Sequence, residues 1–160
     1  MTAFGRYVQT ILDRGRREAR EEGSATIEAQ HLLLAIAAER EAATHQALAS
    51  VGLDRRAIRD ALDREFEHSL GAAGVSLADF DLPRPSVTPE LPRHLGASVR
   101  RAIERGVASA AHRKDLQPAH LLLGILQAEV GTVPRALALA GVDRADLMAR
   151  VQQKLTNEGE

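Results

Sequence analysis

The sequence contains no cysteine and no tryptophan, and aromatic residues make up only 2% of its 160 positions. Without cysteine there is neither a disulfide framework nor a thiolate metal site. With so few aromatic side chains the core has to consist of Leu, Ile, Val and Ala, which favours close-packed helices over a sheet. The composition therefore predicts an all-α protein.

An excess of charge of one sign is also missing. The chain has 21 basic and 22 acidic residues, and its formal net charge is −1. It therefore lacks the basic face that phosphate binding needs, and we expect no nucleic-acid partner. No apolar run approaches the ~20 residues of a membrane span, and residues 1–6 lack the apolar stretch of a secretory signal. We expect a cytoplasmic protein that does not bind membranes.

Catalytic motifs are absent as well. A phosphate-binding loop needs a Gly-Lys pair at a helix start, and neither Lys114 nor Lys154 follows a glycine. The sequence has no Gly-x-Ser-x-Gly motif and no cysteine nucleophile. No two of its six histidines have the i, i+4 spacing of a helical zinc site. We therefore expect no enzyme activity, no cofactor and no metal.

What the sequence does contain is an internal duplication. The run His-Leu-Leu-Leu-Ala-Ile at 31–36 recurs as His-Leu-Leu-Leu-Gly-Ile at 120–125, and Gly-Leu-Asp-Arg at 52–55 recurs as Gly-Val-Asp-Arg at 141–144, both at an offset of 89 residues. The same offset places Ala19 on Ala108. A repeat of roughly 50 residues is too small for a core of its own. We predict one domain over 1–160, with repeat one at about 4–70, a linker at about 71–92 and repeat two at about 93–156.

Each repeat is predicted to contain four helices. The first helix should cover about 4–22 and end at Gly23, and the second should begin near Ala29 and at Pro118, since proline suits a first helical position. The third helices, at about 42–51 and 133–140, are closed by glycines suited to left-handed caps, and the fourth are capped by aspartates: Gly52, Gly141, Asp54 and Asp143. The Leu-Leu-Leu runs are apolar on every side, which is typical of a central buried helix. Ala35 and Gly124 mark a close approach of another backbone there.

Two groups of polar residues each admit two interpretations. His31 and His120 occupy equivalent places in the first turn of the second helices, where an imidazole either closes a local hydrogen bond or belongs to a ligand site. The arginines of the first helix either bind an anion or form a solvated face of ion pairs with neighbouring acids: Arg14, Arg16, Arg17 and Arg20 with Asp13, Glu18, Glu21 and Glu22. We favour the local hydrogen bond and the ion-paired face.

The repeated pattern resembles the N-terminal domain of the Clp family of AAA+ unfoldases, most closely the ClpC type. That domain repeats a unit that reads Ala-x-x-x-Gly-x-x-x-Ile-x-x-x-His-Leu-Leu-Leu-Gly. The first unit here supplies Ala19, Gly23, Ile27 and His31 to Leu34, and the second supplies Ala108, Leu116 and His120 to Gly124, with His112 in place of the first glycine. The resemblance implies two four-helix repeats related by a pseudo-two-fold axis. It also implies a non-catalytic module that recruits adaptors and substrates to ATPase rings, which feed the ClpP peptidase.

Some ClpC-type domains bind phosphorylated arginine through a threonine near the start of the first helix and a glutamate just before the His-Leu-Leu-Leu run. The threonine positions fall on Gly5 and His94, the glutamate positions fall on Gln30 and Ala119, and none of the four matches. We therefore expect no tight binding of phosphoarginine. Phe4 does match the family's aromatic residue at the first helix and implies an apolar contact surface there. With His31 and His120, these positions form the binding surface that the resemblance implies.

The function that the resemblance implies is that of an accessory, adaptor or decoy for a Clp system. Because the 160 residues hold no ATPase ring, we expect a free-standing relative whose partners are a Clp ATPase, its adaptors or its clients. A helical transcriptional or stress regulator is the alternative, and the neutral charge balance speaks against DNA binding. A vestigial or hydrolytic enzyme is a third class, which the missing catalytic groups disfavour.

Overall fold

The computed structural model describes residues 1–74 and 90–158, which form eight α-helices. They are α1 Ala3–Glu22, α2 Ala29–Ala38, α3 Ala42–Ala49, α4 Arg55–Ala72, α5 Ala97–Ala108, α6 Pro118–Leu126, α7 Thr132–Leu139 and α8 Arg144–Glu158. A 3₁₀ turn, Arg113–Asp115, precedes α6, and two short strands are β1 Thr26–Ile27 and β2 His94–Leu95. The predicted fold of two four-helix repeats is confirmed.

The helix ends follow the predicted signals. Gly23, Gly52 and Gly141 all have left-handed backbone angles, with φ of 79°, 73° and 73°. The Asp54 carboxylate accepts from the Ala57 amide at 2.7 Å, and the Asp143 carboxylate caps α8 in the same way. The third helices end at Ala49 and Leu139, slightly before the predicted ends, because the chain turns there. In repeat one this turn is closed by a bond from the Leu53 amide to the Leu48 carbonyl oxygen at 2.9 Å.

The two Leu-rich helices lie at the centre of the molecule, as predicted. All six residues from His31 to Ile36 and from Leu121 to Leu126 are buried. The helix α2 contacts α1, α3, α4, α5, α6 and α7, and α6 contacts α1, α2, α3, α5, α7 and α8. A single apolar cluster therefore runs through both repeats.

Gly124 marks the predicted close approach of two backbones. A Cβ atom at Gly124 would lie 2.0 Å from the Ala102 carbonyl oxygen and 2.7 Å from the Gly106 amide nitrogen. The helices α5 and α6 therefore cross backbone to backbone. Ala35, at the corresponding place in α2, carries a Cβ atom and is fully buried.

The repeats interlock in a reciprocal pattern. The helix α4 of repeat one packs on α7 of repeat two, and α8 of repeat two packs on α3 of repeat one. The strands add a parallel pairing that the all-α prediction did not contain, with Thr26 beside His94 and Ile27 beside Leu95. The Gly96 amide extends it by donating to the Ile27 carbonyl oxygen at 2.8 Å. Both elements of this pairing lie directly before a helix, so the strands fix the start of α5 beside the start of α2.

The offset of 89 residues does not extend to the first helices. Gly15 of α1 and Gly106 of α5 are equivalent, because a Cβ atom at Gly15 would meet Leu32 and one at Gly106 would meet the equivalent Leu121. The two glycines are 91 positions apart, whereas the two leucines are 89 apart. Repeat two is thus two residues shorter at this point, because α5 ends well before the end that α1 reaches, and the longer α5–α6 connection, 109–117 against 23–28, makes up only part of the difference. Ala108 is therefore not the counterpart of Ala19, and the residue that corresponds to Gly5 is Gly96 rather than His94.

The predicted linker at 71–92 falls largely outside the described residues. At its near end Gly71 and Ala72 still belong to α4, and at its far end Pro92 is buried. Across residues 1–74 and 90–158, no helix is both long enough and apolar enough to span a membrane.

Candidate functional site

The two equivalent histidines close the starts of α2 and α6. The Nδ1 atom of His31 accepts the backbone amide of Glu28 at 2.9 Å, and Nδ1 of His120 accepts that of Gln117 at 2.9 Å. The predicted local hydrogen bond is thus confirmed in both repeats. Because Nδ1 is the acceptor, the proton of the neutral ring lies on Nε2.

The Nε2 atoms of the two histidines have different surroundings. His31 Nε2 lies 2.5 Å from Oε2 of Glu22. Burial alone would raise the pKa of the Glu22 carboxyl, but the hydrogen bond from His31 Nε2, together with the charge of Arg59, outweighs it, and the pKa is lowered. Burial lowers the pKa of the His120 imidazole below its ordinary value. The repeats are therefore chemically distinct at this position.

The carboxylate of Glu28 occupies the start of α5. Its Oε1 accepts from the Thr26 hydroxyl at 2.9 Å, and its Oε2 accepts from the Ser98 hydroxyl. The Ser98 oxygen in turn accepts the Ala29 amide at 2.9 Å. A Cβ atom at Gly96 would lie 2.1 Å from Glu28 Oε1, so the carboxylate requires glycine there. A negative group at this end of a helix is favoured by the helix dipole.

Gln30 and Ala119 hold equivalent places, but only Gln30 faces open space. Ala119 is buried, whereas Gln30 is half-buried and lines two clefts. Thr132, the first residue of α7, lines the same two clefts. We call the pair of clefts the Gln30 groove.

The two halves of the Gln30 groove differ in charge. The half between α1, α4 and α7 has a volume of about 510 Å³ and is acidic; its charged residues are Glu21, Glu22, Asp63, Glu65 and Arg59. The half along α5 and the α6–α7 connection has a volume of about 540 Å³ and is balanced; its charged residues are Glu28, Glu129, Arg101 and Arg105. An extended chain lying along the groove would meet an acidic end, a polar middle and a mixed end.

An exposed aromatic side chain that sequence analysis missed lies in the acidic half. Phe66 of α4 is 56% exposed, and it stands beside the buried Leu62 on the wall of the groove. Its spacing of four from Leu62, which follows Ile58 at the same interval, is that of an inward-facing residue. The signal that marks it is rarity, because the chain has only three phenylalanines.

The remaining predicted positions lie away from this groove. Phe4 is only 8% exposed and packs in the core, so it does not supply the apolar contact surface that the resemblance implied. Gly5, in the first turn of α1, donates its amide to the Thr2 hydroxyl at 3.0 Å. His94 is exposed in β2 and borders a separate, shallow cleft of about 370 Å³.

The charged residues of α1 form most of their ion pairs with residues outside α1. Arg16 pairs with Asp13 at 3.7 Å within the helix, but Arg14 pairs with Glu39 at 2.8 Å after the end of α2. The acids Glu18 and Glu21 pair instead with arginines of α4, Arg55 and Arg59. The expected face of ion pairs therefore exists, but its pairs mainly join helices. Among the described residues, no cluster of His, Asp and Glu is arranged to hold a metal ion.

Comparison with known proteins identifies the family. The profile of the Clp repeat (R) N-terminal domain matches residues 3–107. The chain therefore belongs to the Clp repeat N-terminal domain family, a family of non-catalytic modules associated with substrate binding in Clp chaperones and proteases. A comparison with curated protein sequences gives no match.

Solved structures share the fold. The N-terminal domain of the caseinolytic protease associated chaperone ClpD from Arabidopsis thaliana is 20% identical, with a TM-score of 0.64 and 97% of each chain covered. A chain described in preliminary structural investigations of a malarial protein secretion system is 17% identical, with a TM-score of 0.58, and the alignment covers 94% of this chain and 92% of that one. At these identities the likeness concerns the fold alone.

Proposed function

We propose that the protein is a non-catalytic peptide-binding module that serves a Clp system as accessory, adaptor or decoy. Family membership implies protein partners of the Clp system in general. The Gln30 groove is the surface that we assign to them, and the observation that carries this assignment is the exposed Phe66 beside the polar Gln30 and Thr132. An aromatic side chain supplies apolar contact area to a partner, and the polar pair supplies hydrogen bonds to its backbone.

The acidic half of the groove indicates which segments fit best. Asp63 is exposed and Glu21 has only the 3.5 Å contact with Arg55, so both carboxylates are available to a partner. Glu65, in contrast, is bound by Arg135 at 2.9 Å. A segment with an apolar residue next to Lys or Arg would place the apolar side chain on Phe66 and the cation near Asp63.

The partner set can be tested by capture with a matched control. Immobilised wild-type protein and its Phe66→Ala variant are exposed to native lysate of the source organism, and captured proteins are identified by mass spectrometry. We expect a Clp ATPase, its adaptors or its clients on the wild type and their loss from Phe66→Ala. Leu139→Ala removes an exposed apolar side chain outside the groove and should capture the same set as the wild type. Equal capture by Phe66→Ala, or the absence of every Clp component, would contradict the proposal.

Delivery and sequestration are separated by a degradation assay. The captured ATPase is reconstituted with its peptidase and a fluorescent client, and the protein is titrated in. Faster degradation identifies an adaptor, whereas slower degradation identifies a decoy. An unchanged rate at saturating protein would exclude both roles.

A further inference from the structure

His120 borders a second cleft, on the side of the molecule formed by the α5–α6 connection and α8. This cleft has a volume of about 970 Å³, and we call it the His120 cleft; Lys114, Asp115, Gln117, Leu123 and Leu155 contribute to its wall. His120 itself is only 6% exposed. Because its Nδ1 is turned toward the Gln117 amide, the Nε2 edge is the part of the ring that faces the cleft.

The equivalent histidine of repeat one, His31, shows which kind of group accepts the hydrogen bond from Nε2. There the Glu22 carboxylate accepts from His31 Nε2 at 2.5 Å, and His31 is fully buried. In repeat two α5 ends at Ala108, before it reaches a position that corresponds to Glu22, so no helical carboxylate occupies that place. Within residues 1–74 and 90–158, no protein group accepts a hydrogen bond from His120 Nε2. Repeat two therefore keeps the donor and lacks its carboxylate.

The other groups of the His120 cleft suit an acceptor that carries charge and is attached to an apolar chain. Lys114 supplies an ammonium that attracts an anionic acceptor, and the carboxylate of Asp115 opposes it in part. Leu155, which is half-buried, supplies apolar surface. Burial lowers the pKa of His120, which keeps the ring neutral near pH 7 and the proton available on Nε2.

We infer that the His120 cleft binds a peptide carboxylate, which accepts from His120 Nε2 as the Glu22 carboxylate accepts from His31. Lys114 adds a favourable charge, and an apolar side chain next to the carboxylate packs on the half-buried Leu155. The carboxylate belongs either to the C-terminus of a peptide or to an Asp or Glu side chain. The site is separate from the Phe66 end of the Gln30 groove, so it does not depend on the proposed function.

Nuclear magnetic resonance of the full chain labelled with ¹⁵N-histidine tests this inference directly. The probes are N-acetyl-Leu-Ala with a free carboxylate, the same dipeptide as its C-terminal amide, and N-acetyl-Leu-Glu amide with only a side-chain carboxylate. We expect the free acid to shift the Nε2 signal of His120 in a saturable manner and to leave that of His31 unchanged. The amide should bind at least about ten-fold more weakly, since it loses a charge-assisted hydrogen bond. The comparison of the first and third probes decides between the two sources of carboxylate.

Variants at exposed positions test the site without disturbing the core. Lys114→Glu should abolish binding of the free acid, because its carboxylate repels the probe and competes for His120. Lys114→Gln should weaken it only a few-fold, and Asp115→Asn should strengthen it, because each removes one charge. The inference is overturned if millimolar acid leaves the His120 signal in place, if acid and amide bind equally, or if Lys114→Glu binds as the wild type does.

Discussion

A single missing methyl group sets how closely α5 and α6 pack. At Gly124 an added Cβ atom would meet backbone atoms of Ala102 and Gly106, which cannot move aside as a flexible side chain would. We therefore expect Gly124→Ala to lower the free energy of unfolding by about 1–3 kcal/mol, the range for an overpacked core. Urea denaturation followed by circular dichroism measures it.

Gly71 is the matched control for that substitution. It lies near the end of α4, and a Cβ atom there would meet nothing within 4 Å. Gly71→Ala should raise the free energy of unfolding by roughly 0.4–1 kcal/mol, because alanine reduces the freedom of the unfolded chain. If both variants changed stability alike, the close crossing of α5 and α6 would not be the cause.

His120 and Glu22 make stability depend on pH in the same direction. The pKa of each group is lower in the folded chain than in the unfolded chain. On acidification the unfolded chain therefore binds more protons, and the free energy of unfolding decreases as the pH is lowered. For His120 the loss begins near the unfolded pKa of about 6.5, and for Glu22 near about 4.3. Thermal unfolding between pH 7 and pH 3 should therefore show two successive declines.

A substitution separates the two declines. In His120→Asn the amide oxygen can still accept from the Gln117 backbone, but no group titrates, so the upper decline should shrink and the lower one should remain. His45→Asn changes an exposed histidine of α3 and serves as control. An upper decline of unchanged size in His120→Asn would show that another group causes it.

At the scale of elements, the junction of β1, α2 and α5 disfavours a phosphate at the start of α5. The start of α5 already holds the carboxylate of Glu28, and Gln30 offers no charge to a guanidinium. Phosphoarginine should therefore bind weakly or not at all, as calorimetry can show. Tight binding by the unmodified protein would mean that Glu28 moves aside for a phosphate.

A double substitution tests the cause of that weakness. Glu28→Gln removes the competing charge, and Gln30→Glu adds a partner for the guanidinium. Together they should bind phosphoarginine roughly ten-fold to a hundred-fold more tightly than Glu28→Gln alone, the effect of one charge-assisted hydrogen bond of about 1.5–3 kcal/mol. No gain would mean that Gln30 lies too far from the α5 start to share a ligand with it.

Local signals predicted the helices well, because they act within a few residues. Gly23, Gly52 and Asp54 terminate or cap helices as their chemistry requires, and the Leu-Leu-Leu runs lie at the centre. The pairing of β1 with β2 was not predictable, since it joins residues far apart in sequence. The exposure of Phe66 and the burial of Phe4 also depend on how helices that are far apart in the sequence pack together. Of the residues that line the groove's two halves around Phe66, the sequence therefore singled out Gln30 alone as a binding position.

At the scale of the whole molecule, stability should belong to the two repeats together. The helices α4 and α8 each pack on a helix of the other repeat, and one apolar cluster spans both. We expect that fragments 1–74 and 90–160 each lack a cooperative thermal transition, because either alone exposes half of the shared core. Differential scanning calorimetry of each fragment, and of their mixture, measures this. A sharp transition in an isolated fragment would show that the repeats are separate domains.

The reciprocal packing of α4 on α7 and of α8 on α3 is the arrangement that two copies of one short chain would adopt around a two-fold axis. In such a dimer both copies have the same sequence, so a substitution that removes the carboxylate partner of a histidine removes it in both copies. When the two copies are joined in one chain, each can have its own sequence. Here one copy retains the bond between Glu22 and His31, while the other leaves His120 facing a cleft. In a single chain the two equivalent histidines can therefore differ, and a change beside His120 leaves the bond between Glu22 and His31 intact.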